Sequence, residues 1–529
     1  MAEALSIQLE RMASSSRVTP VIDEILTETK SDEQYVIDVS EILSVEAHGG
    51  DGFSGGERNP QDGWLPVTES RTGGTLKAVF HLLSSGIGYQ ALLLPIAFAY
   101  LGWYWGIIWL SVCFSWQLYT TWLLVNLHES TPPNGIRYSR YLHLSIVAFV
   151  GKDTKRSFRK TLEGISKACV TIAVVLCEKL GKLLGLFPTM YLSTGTCIVY
   201  IITGGTVMEL LFESMCDNNM ECKSKTLTGA QWFLFFISIA IFTAQFFPNL
   251  NSLAAVSAVG STMAAFYCCL LWILSVDKGR VHDQMEAGEM DLRDDGSGFR
   301  NVLNGFGIIA LAFRGHNLVL EIQGTLPTNR VQPSRKSMWN GVTVSYLLIA
   351  LCMYPLAIVG HWAYGDKIYP NLGILTTFKT FHQKSTSKYI SGAICLAAVI
   401  HYLCAYQIYA IPAFDNFERL YTTKKNKPCP KWLRSAIKVL FGGFTYFVAV
   451  ALPFLPSLGL FIGSMALPLT LAYPCLMWVA IKKPGRFSRM WCINVGLGSI
   501  GIMFCAMCGG GALWSLIVDG LDANFFKPK

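Results

Sequence analysis

Charged side chains are scarce in this chain, and several functional signatures are missing. Only 15% of its 529 residues are Asp, Glu, Lys or Arg, whereas soluble domains average about a quarter. The sequence contains no Walker-type motif and no Cys/His cluster with metal-ligand spacing outside its apolar blocks, and we expect no cleaved signal peptide. Its net charge of +8 comes from clusters in particular loops. We therefore expect no enzyme, no cofactor, no metal and no nucleic-acid partner.

Apolar residues are correspondingly abundant, at 52% of the chain with a mean hydropathy of +0.40. They fall into blocks of roughly 18–28 residues, the length with which an α-helix crosses a hydrocarbon layer of about 30 Å. A helix satisfies its own backbone hydrogen bonds in lipid, and a lone strand does not. The sequence therefore predicts an all-α polytopic membrane protein in a lipid bilayer, with about eleven transmembrane helices. The predicted spans are residues 75–101, 103–127, 183–207, 230–248, 250–275, 301–324, 341–361, 388–412, 435–455, 457–480 and 490–517.

Basic residues concentrate in alternate loops, those after the second, sixth, eighth and tenth spans, and the other loops are more acidic. Cytoplasmic loops of membrane proteins carry this excess of Lys and Arg. We therefore expect the N-terminus in the cytosol and, with an odd number of spans, the C-terminus outside.

Composition divides the chain into three regions. Residues 1–71 are acidic and end near a Gly-rich run, which predicts a disordered cytosolic tail. Residues 72–520 form the transmembrane domain, and residues 521–529 form a short C-terminal tail. Within the domain, residues 151–178 hold a basic run and then an apolar stretch too short to cross a bilayer. We expect this insertion to be cytosolic or interfacial, either as an amphipathic element or as sequence that the mature protein lacks.

Two cysteines lie in one polar loop on the predicted outer side. Cys216 and Cys222 flank a stretch that contains Asp217 and Glu221, and an extracellular or lumenal location permits their oxidation. A disulfide between them and two free thiols are the two alternatives.

The first span contains poor helix formers at its centre. The run Ser84-Ser85-Gly86-Ile87-Gly88-Tyr89-Gln90 combines two serines and two glycines with an amide at membrane depth. An interrupted helix frees backbone N–H and C=O groups, which is how many transporters bind a polar solute near the bilayer midplane. Close packing of small residues against a neighbouring helix is the alternative explanation.

The sixth span is unusually polar. Arg314, His316, Asn317, Glu321 and Gln323 fall within ten residues, a costly arrangement in lipid unless they face a cavity or one another. Asn317 and Glu321 are four residues apart, hence on one helix face. Either these residues serve a transport site, or Arg314 and Glu321 form a buried structural pair, or Glu321 and Gln323 lie at the cytosolic interface.

The eighth span carries a polar and aromatic stripe. His401-Tyr402, Tyr406-Gln407 and Tyr409 precede Pro412 and Asp415. These side chains either line a solute path or, from Tyr409 to Asp415, mark the cytosolic end of the helix, where aromatic residues are enriched. We interpret Asp415 as such an end marker and keep Tyr406 as a candidate.

Five motifs occur in a consistent order along the chain. They are Gly88 to Pro95 followed by Leu101-Gly102-Trp103, then Arg140-Tyr141, Thr203-Gly204-Gly205, Phe247-Pro248-Asn249-Leu250-Asn251-Ser252, and Gly315-His316-Asn317 to Pro327. Together they resemble the amino acid/auxin permease family. Arg137 to Leu144, Lys179 to Leu184 and Ser85 to Gly88 are most similar to its plant lysine/histidine-transporter-like branch.

This resemblance implies a leucine-transporter-type fold, a 5+5 inverted repeat with broken first and sixth helices, and proton-coupled amino acid uptake at the plasma membrane. The breaks lie five spans apart, as such a repeat requires. The resemblance also implies a substrate site lined by Ser85, Gly86, Gly88, His316 and Asn317. Where the family usually has a second glycine, this chain has Gln90, so its substrate range is expected to differ.

The leading hypothesis is a secondary active symporter that binds amino acids and protons and works by alternating access. Its substrate-binding candidates are Ser85, Gly86, Gly88, Gln90, His316, Asn317 and Tyr406, and its proton-coupling candidates are Glu321 and His316. A carrier of auxin-like or other amine solutes, a facilitator without coupling, and a nutrient sensor that has lost turnover are the alternatives.

Overall fold

The computed structural model describes residues 60–129, 137–150, 167–216, 227–281, 298–313, 315–328, 333–370, 372–454, 459–518 and 525–526, and only the backbone of 167–182. Apart from two isolated β-bridges, these ranges are helical or irregular. The predicted all-α class is therefore confirmed for the part of the chain that is described.

Fifteen α-helices follow one another in these ranges. They are α1 Thr75–Gly86, α2 Leu94–Leu127, α3 Tyr141–Val150, α4 Lys167–Met215, α5 Gly229–Phe246, α6 Ala254–Lys278, α7 Gly298–Ala312, α8 His316–Gly324, α9 Ser334–Tyr364, α10 Ile374–His382, α11 Lys388–Lys425, α12 Lys431–Ala451, α13 Gly459–Leu471, α14 Tyr473–Lys482 and α15 Arg489–Val518. Short 3₁₀ helices occupy Pro60–Trp64 and Tyr89–Leu93.

Nine helices within the described ranges are long and apolar enough to cross a membrane. One of them, Tyr89–Leu127, contains the end of the predicted first span and the whole second span, divided by Gly102 with φ 73° and ψ 173°. The sixth span is divided between α7 and α8, each too short to count alone. The predicted positions of the spans are confirmed as helices, and the total of eleven spans stays a prediction.

The structure differs from the sequence-based boundaries in several places. Residues 60–71 were predicted as part of the disordered tail, but Leu65, Val67 and Thr68 are at most 3% exposed and pack against the helices. Helices α3 and α10 were not predicted, because each is too short to give a membrane-length apolar block. Helix α4 begins at Lys167, so the second half of the predicted insertion continues into the third span.

Helix α11 lies at the centre of the bundle. It packs against α4, α6 and α1, and 83% of the residues in its most apolar 18-residue stretch are buried. Peripheral helices show the opposite pattern. In α12, only 28% of the residues in the equivalent stretch are buried, and Leu440 is 72% exposed. Exposed apolar side chains on the outer helices are the surface that lipid covers.

Helix α10 is fixed against the first-span interruption by a glycine. A Cβ on Gly373 would overlap the carbonyl of Leu92, the last but one residue of the 3₁₀ turn. Gly365 has the same φ of 56°, but a Cβ there would meet nothing within 4 Å. Substitutions at these two glycines therefore distinguish the cost of backbone strain, which applies at both positions, from the cost of steric overlap, which applies only at Gly373.

Replacing either glycine by alanine tests this contact. Gly365→Ala is expected to cost about 1–3 kcal/mol of folding free energy through strain alone. Gly373→Ala is expected to cost about 1–3 kcal/mol more, because the methyl group also displaces Leu92. Thermal unfolding of the purified protein in detergent measures both, and equal losses would show that the Leu92 contact adds nothing.

Candidate functional site

The first span is interrupted where its sequence has Ile87 and Gly88. Helix α1 ends at Gly86, and Ile87 and Gly88 are extended, with φ of −88° and −100°. The 3₁₀ turn that begins at Tyr89 leads into α2, whose first turn contains Pro95. Proline suits that position because N–H groups in the first turn of a helix have no intrahelical acceptor, so a residue without an N–H loses no hydrogen bond there. The predicted break is confirmed.

The sixth span is interrupted at Phe313 to Gly315. Helix α7 ends at Ala312 and α8 begins at His316, with Gly315 at φ 107°. A left-handed conformation of this kind favours glycine because it has no Cβ. Arg314 lies outside the described residues, so its proposed pairing with Glu321 remains a prediction.

The two interruptions are joined to each other. Ile87 and Phe313 form an antiparallel β-bridge, and they are only 1% and 3% exposed. A Cβ on Gly315 would lie 3.3 Å from the Ser85 hydroxyl oxygen, so the two interrupted segments are in close contact. Interrupted backbone inside a membrane domain needs such partners, because lipid supplies none.

His316 is held by the second span. Its Nε2 lies 3.0 Å from each of three oxygens, the hydroxyls of Thr120 and Thr121 and the carbonyl of Gln117. The Thr121 hydroxyl also lies 2.9 Å from the hydroxyl of Tyr346 in α9. The opposite ring nitrogen, Nδ1, has no hydrogen-bond partner among the described residues.

The sequence analysis did not select Gln117, Thr120 or Thr121. Their spacing of three and four residues puts them on one face of α2, and polar residues at that spacing in an apolar helix are a detectable signal. The partner of that face was not detectable, because a local pattern does not say which span a helix contacts.

Asn317 and Glu321 are both buried, at 0% and 3% exposure. The Asn317 amide donates to the hydroxyl of Ser193 in α4 at 3.2 Å, and its Oδ1 has no partner among the described residues. Glu321 Oε1 accepts the Tyr141 N–H at 3.0 Å, and its Oε2 has no partner within the same ranges. Glu321 is therefore enclosed by protein, and its location at the cytosolic interface stays a prediction.

Gln90 lies in the 3₁₀ turn after the first-span break. It is 3% exposed, and neither its amide nitrogen nor its carbonyl oxygen has a partner within the described part of the chain. An unpaired buried amide costs free energy, of the order of 1–3 kcal/mol per group. A polar ligand that bonds to it would recover that cost.

The remaining candidates lie in different surroundings. Gly86 faces α9, where a Cβ would meet the Ile349 side chain at 2.7 Å. The Tyr406 hydroxyl lies 3.5 Å from Thr445 of α12, on the side of α11 that contacts that helix. Tyr409, one turn further on, donates instead to the Ser85 carbonyl at 2.9 Å. Tyr409 therefore contacts the break directly.

A buried ion pair connects the segment before α3 to α11. The Arg140 guanidinium donates to both carboxyl oxygens of Asp415, at 2.6 and 3.3 Å, and to the Thr68 hydroxyl at 3.3 Å. The Val67 N–H donates to the same carboxylate at 3.2 Å. Asp415 is thus a structural ion-pair partner that fixes residues 65–68 and α3 to α11, a larger role than the end marker expected from the sequence.

A second arginine supports the end of α8. Arg137 donates to the carbonyls of Gln323 and Leu326, at 2.9 and 2.6 Å, where a cation complements the helix dipole. It also donates to Nε2 of His128, just beyond the end of α2. Burial and the Arg137 charge hold the pKa of His128 well below its usual range, so the imidazole is neutral and accepts this bond.

The predicted cysteine pair is described in part. Cys216 is disulfide-bonded, whereas Cys222 lies outside the described residues. Their pairing therefore stays a prediction.

A multi-pass helical membrane protein with two interrupted spans facing each other has the architecture of a secondary transporter. Residues 71–518 match the family model described as transmembrane amino acid transporter protein. The chain belongs to this family of amino acid transporters and is therefore a multi-pass integral membrane protein.

Curated relatives agree with the branch that the motifs indicated. Lysine histidine transporter-like 8 of Arabidopsis thaliana is 44% identical over 470 residues, covering 89% of this chain and 84% of the relative. Lysine histidine transporter-like 7 of the same plant is 44% identical over 488 residues, covering 92% and 93%. Among solved structures, a Na+-coupled sialic acid symporter is similar with a TM-score of 0.46 and 12% identity over 91% of this chain and 96% of that one.

The Arg140–Asp415 pair can be tested against the less buried pair of Lys379 and Glu213. Asp415→Ala is expected to lower the free energy of unfolding by about 3–5 kcal/mol, because it removes the carboxylate that binds the buried guanidinium through two hydrogen bonds and leaves only Asp62, whose Oδ1 lies 3.9 Å from Nη1. Glu213→Ala, which removes the half-exposed partner of Lys379, is expected to cost at most about 1 kcal/mol. Thermal unfolding in detergent measures both, and a small loss for Asp415→Ala would contradict the structural role.

Proposed function

We propose that this chain is a proton-coupled amino acid symporter that binds its substrate between the first-span and sixth-span breaks. The observation that carries the proposal is the pairing of two interrupted helices, Ile87 against Phe313, inside a buried core. Alternating access needs a central site that is reached from either side, and paired broken helices supply one.

The polar groups around the breaks suit a zwitterion. Helix α8 begins at His316 with N–H groups that lack intrahelical acceptors, and such a terminus attracts a carboxylate. The side-chain oxygens of Asn317 and Gln90, which have no partner in the part of the chain that is described, are acceptors for an ammonium group or a polar substrate side chain. The name of the relatives, lysine histidine transporter-like, supports an amino acid as the solute.

Coupling requires a buried titratable group whose surroundings differ between the two access states. His316 and Glu321 on the sixth span, the candidates from the sequence, both satisfy the burial requirement. Each keeps one polar atom without a partner among the described residues, His316 at Nδ1 and Glu321 at Oε2.

We also propose an orientation of the chain in the membrane. Lys424, Lys425, Lys427 and Lys431 are exposed at the end of the bundle where α11 meets α12. An excess of basic residues at one end supports a cytosolic location for that end and for the N-terminus, with the C-terminus outside. The resemblance to plant permeases supports the plasma membrane as the location.

Net flux is the measurement that tests the function. The purified protein is reconstituted into liposomes and given labelled L-lysine, L-histidine, L-leucine and L-glutamine, with and without an inward proton gradient. We expect accumulation that collapses when an ionophore removes the gradient. Protein-free liposomes are the control for leakage.

Two other outcomes have distinct meanings. Uptake that reaches only the outside concentration, whatever the gradient, would indicate a facilitator without coupling. Specific binding of an amino acid without any uptake would contradict the transport function and favour a sensor that keeps the same fold.

A further inference from the structure

The C-terminal end of α1 is held by two side chains from α11. His401 Nε2 lies 3.2 Å from the Ser84 carbonyl, and the Tyr409 hydroxyl donates to the Ser85 carbonyl at 2.9 Å. The last carbonyls of a helix have no intrahelical donor and carry the negative end of its dipole. Because both donors come from one helix, they connect the end of α1 to the helix at the centre of the bundle.

The surroundings of His401 fix its hydrogen-bonding roles. Since a carbonyl only accepts, Nε2 carries a proton and donates to Ser84. On the other side of the ring, Nδ1 lies 3.3 Å from the hydroxyl of Tyr267 in α6. The phenol donates to Nδ1 while the ring is neutral and accepts from it once Nδ1 is protonated, so the site accommodates both protonation states.

Among the described residues, the titratable groups whose rings contact this histidine are Tyr267 of α6 and Tyr402 of α11 itself. Tyr200 of α4 contacts Tyr402 in turn. His81, one turn earlier in α1, bonds to the Ser257 hydroxyl instead. No Lys, Arg, Asp or Glu within the described ranges forms an ion pair with His401, so the polar group that its Nε2–H meets is the Ser84 carbonyl at the negative end of α1.

We propose that His401 is the proton-binding group that couples protonation to the position of the first-span break. This inference rests on the proposed symport. The Nδ1 atom takes up the proton while Ser84 contacts Nε2, and the proton is released when α1 moves away during alternating access. A contact made in one state and lost in the other gives the two states different proton affinities, which is the requirement for coupling.

His401 differs in this respect from the two sixth-span candidates. His316 is bonded to the second span and Glu321 to the start of α3. His401 alone of the three has a hydrogen bond to the first-span break among the described contacts. The histidine is fully buried, as are Ser84 and Tyr409.

The decisive variant is His401→Gln, which keeps an N–H donor for Ser84 but does not titrate between about pH 5 and pH 8. The full chain in liposomes is assayed with the best-transported of the four labelled amino acids. We expect counterflow exchange to remain, KM for exchange to become independent of pH, and gradient-driven accumulation to fall about tenfold, within the range of typical coupling factors.

Three matched variants show whether the effect is specific. Tyr409→Phe removes the neighbouring donor without removing a proton site, so KM is expected to rise while its pH dependence persists. His81→Gln removes another buried histidine that contacts no break carbonyl and is expected to keep gradient-driven accumulation. Glu321→Gln compares His401 directly with the sixth-span carboxylate. Loss of coupling in Glu321→Gln with coupling retained in His401→Gln would overturn the inference.

A further variant covers the case in which His401→Gln does not fold. Tyr267→Phe leaves the bond to Ser84 but removes the partner of Nδ1, so the midpoint of KM against pH is expected to move; an unchanged midpoint would count against a proton at Nδ1. A wild-type protein that never responds to a proton gradient would overturn the symport itself. A wild type that responds, together with an unchanged His401→Gln, would overturn only the role of His401.

Discussion

The contact between two stretches of interrupted backbone is the constraint on which the rest of the structure depends. Ile87 and Phe313 leave helical geometry in the middle of a membrane domain, where each unpaired N–H or C=O costs several kcal/mol. Their pairing with each other lowers that cost. It also requires the first and sixth spans to lie side by side, which places α1 and α8 around one buried polar region.

Donors from neighbouring parts of the chain bond to α1 and α8, the two helices beside the interruptions. His401 and Tyr409 cap the end of α1, Arg137 caps the end of α8, and the Tyr141 N–H bonds to Glu321. Each is a donor placed at a carbonyl, a carboxylate or the end of a helix dipole.

Much of the architecture was predictable from local pattern. Apolar length located the spans, and the serines and glycines of Ser84 to Gly88 located the first interruption, because both effects act along a single helix. Short elements were not predicted, because the local pattern of a few residues is too weak to indicate a helix or a buried segment. Helix α10 is too short for a membrane-length block, and the buried residues 65–68 belong to a region whose overall composition is acidic.

The sequence by itself determined the class of protein, the interrupted spans and the polar residues of the sixth span, since hydropathy and helix propensity depend on neighbours along the chain. Only the tertiary structure decided which polar groups meet. Asp415 became the partner of Arg140, Tyr406 faced α12, and His401 reached Ser84, a contact between residues more than three hundred positions apart. Such contacts follow from how helices rotate and pack against one another, and no local period encodes that choice.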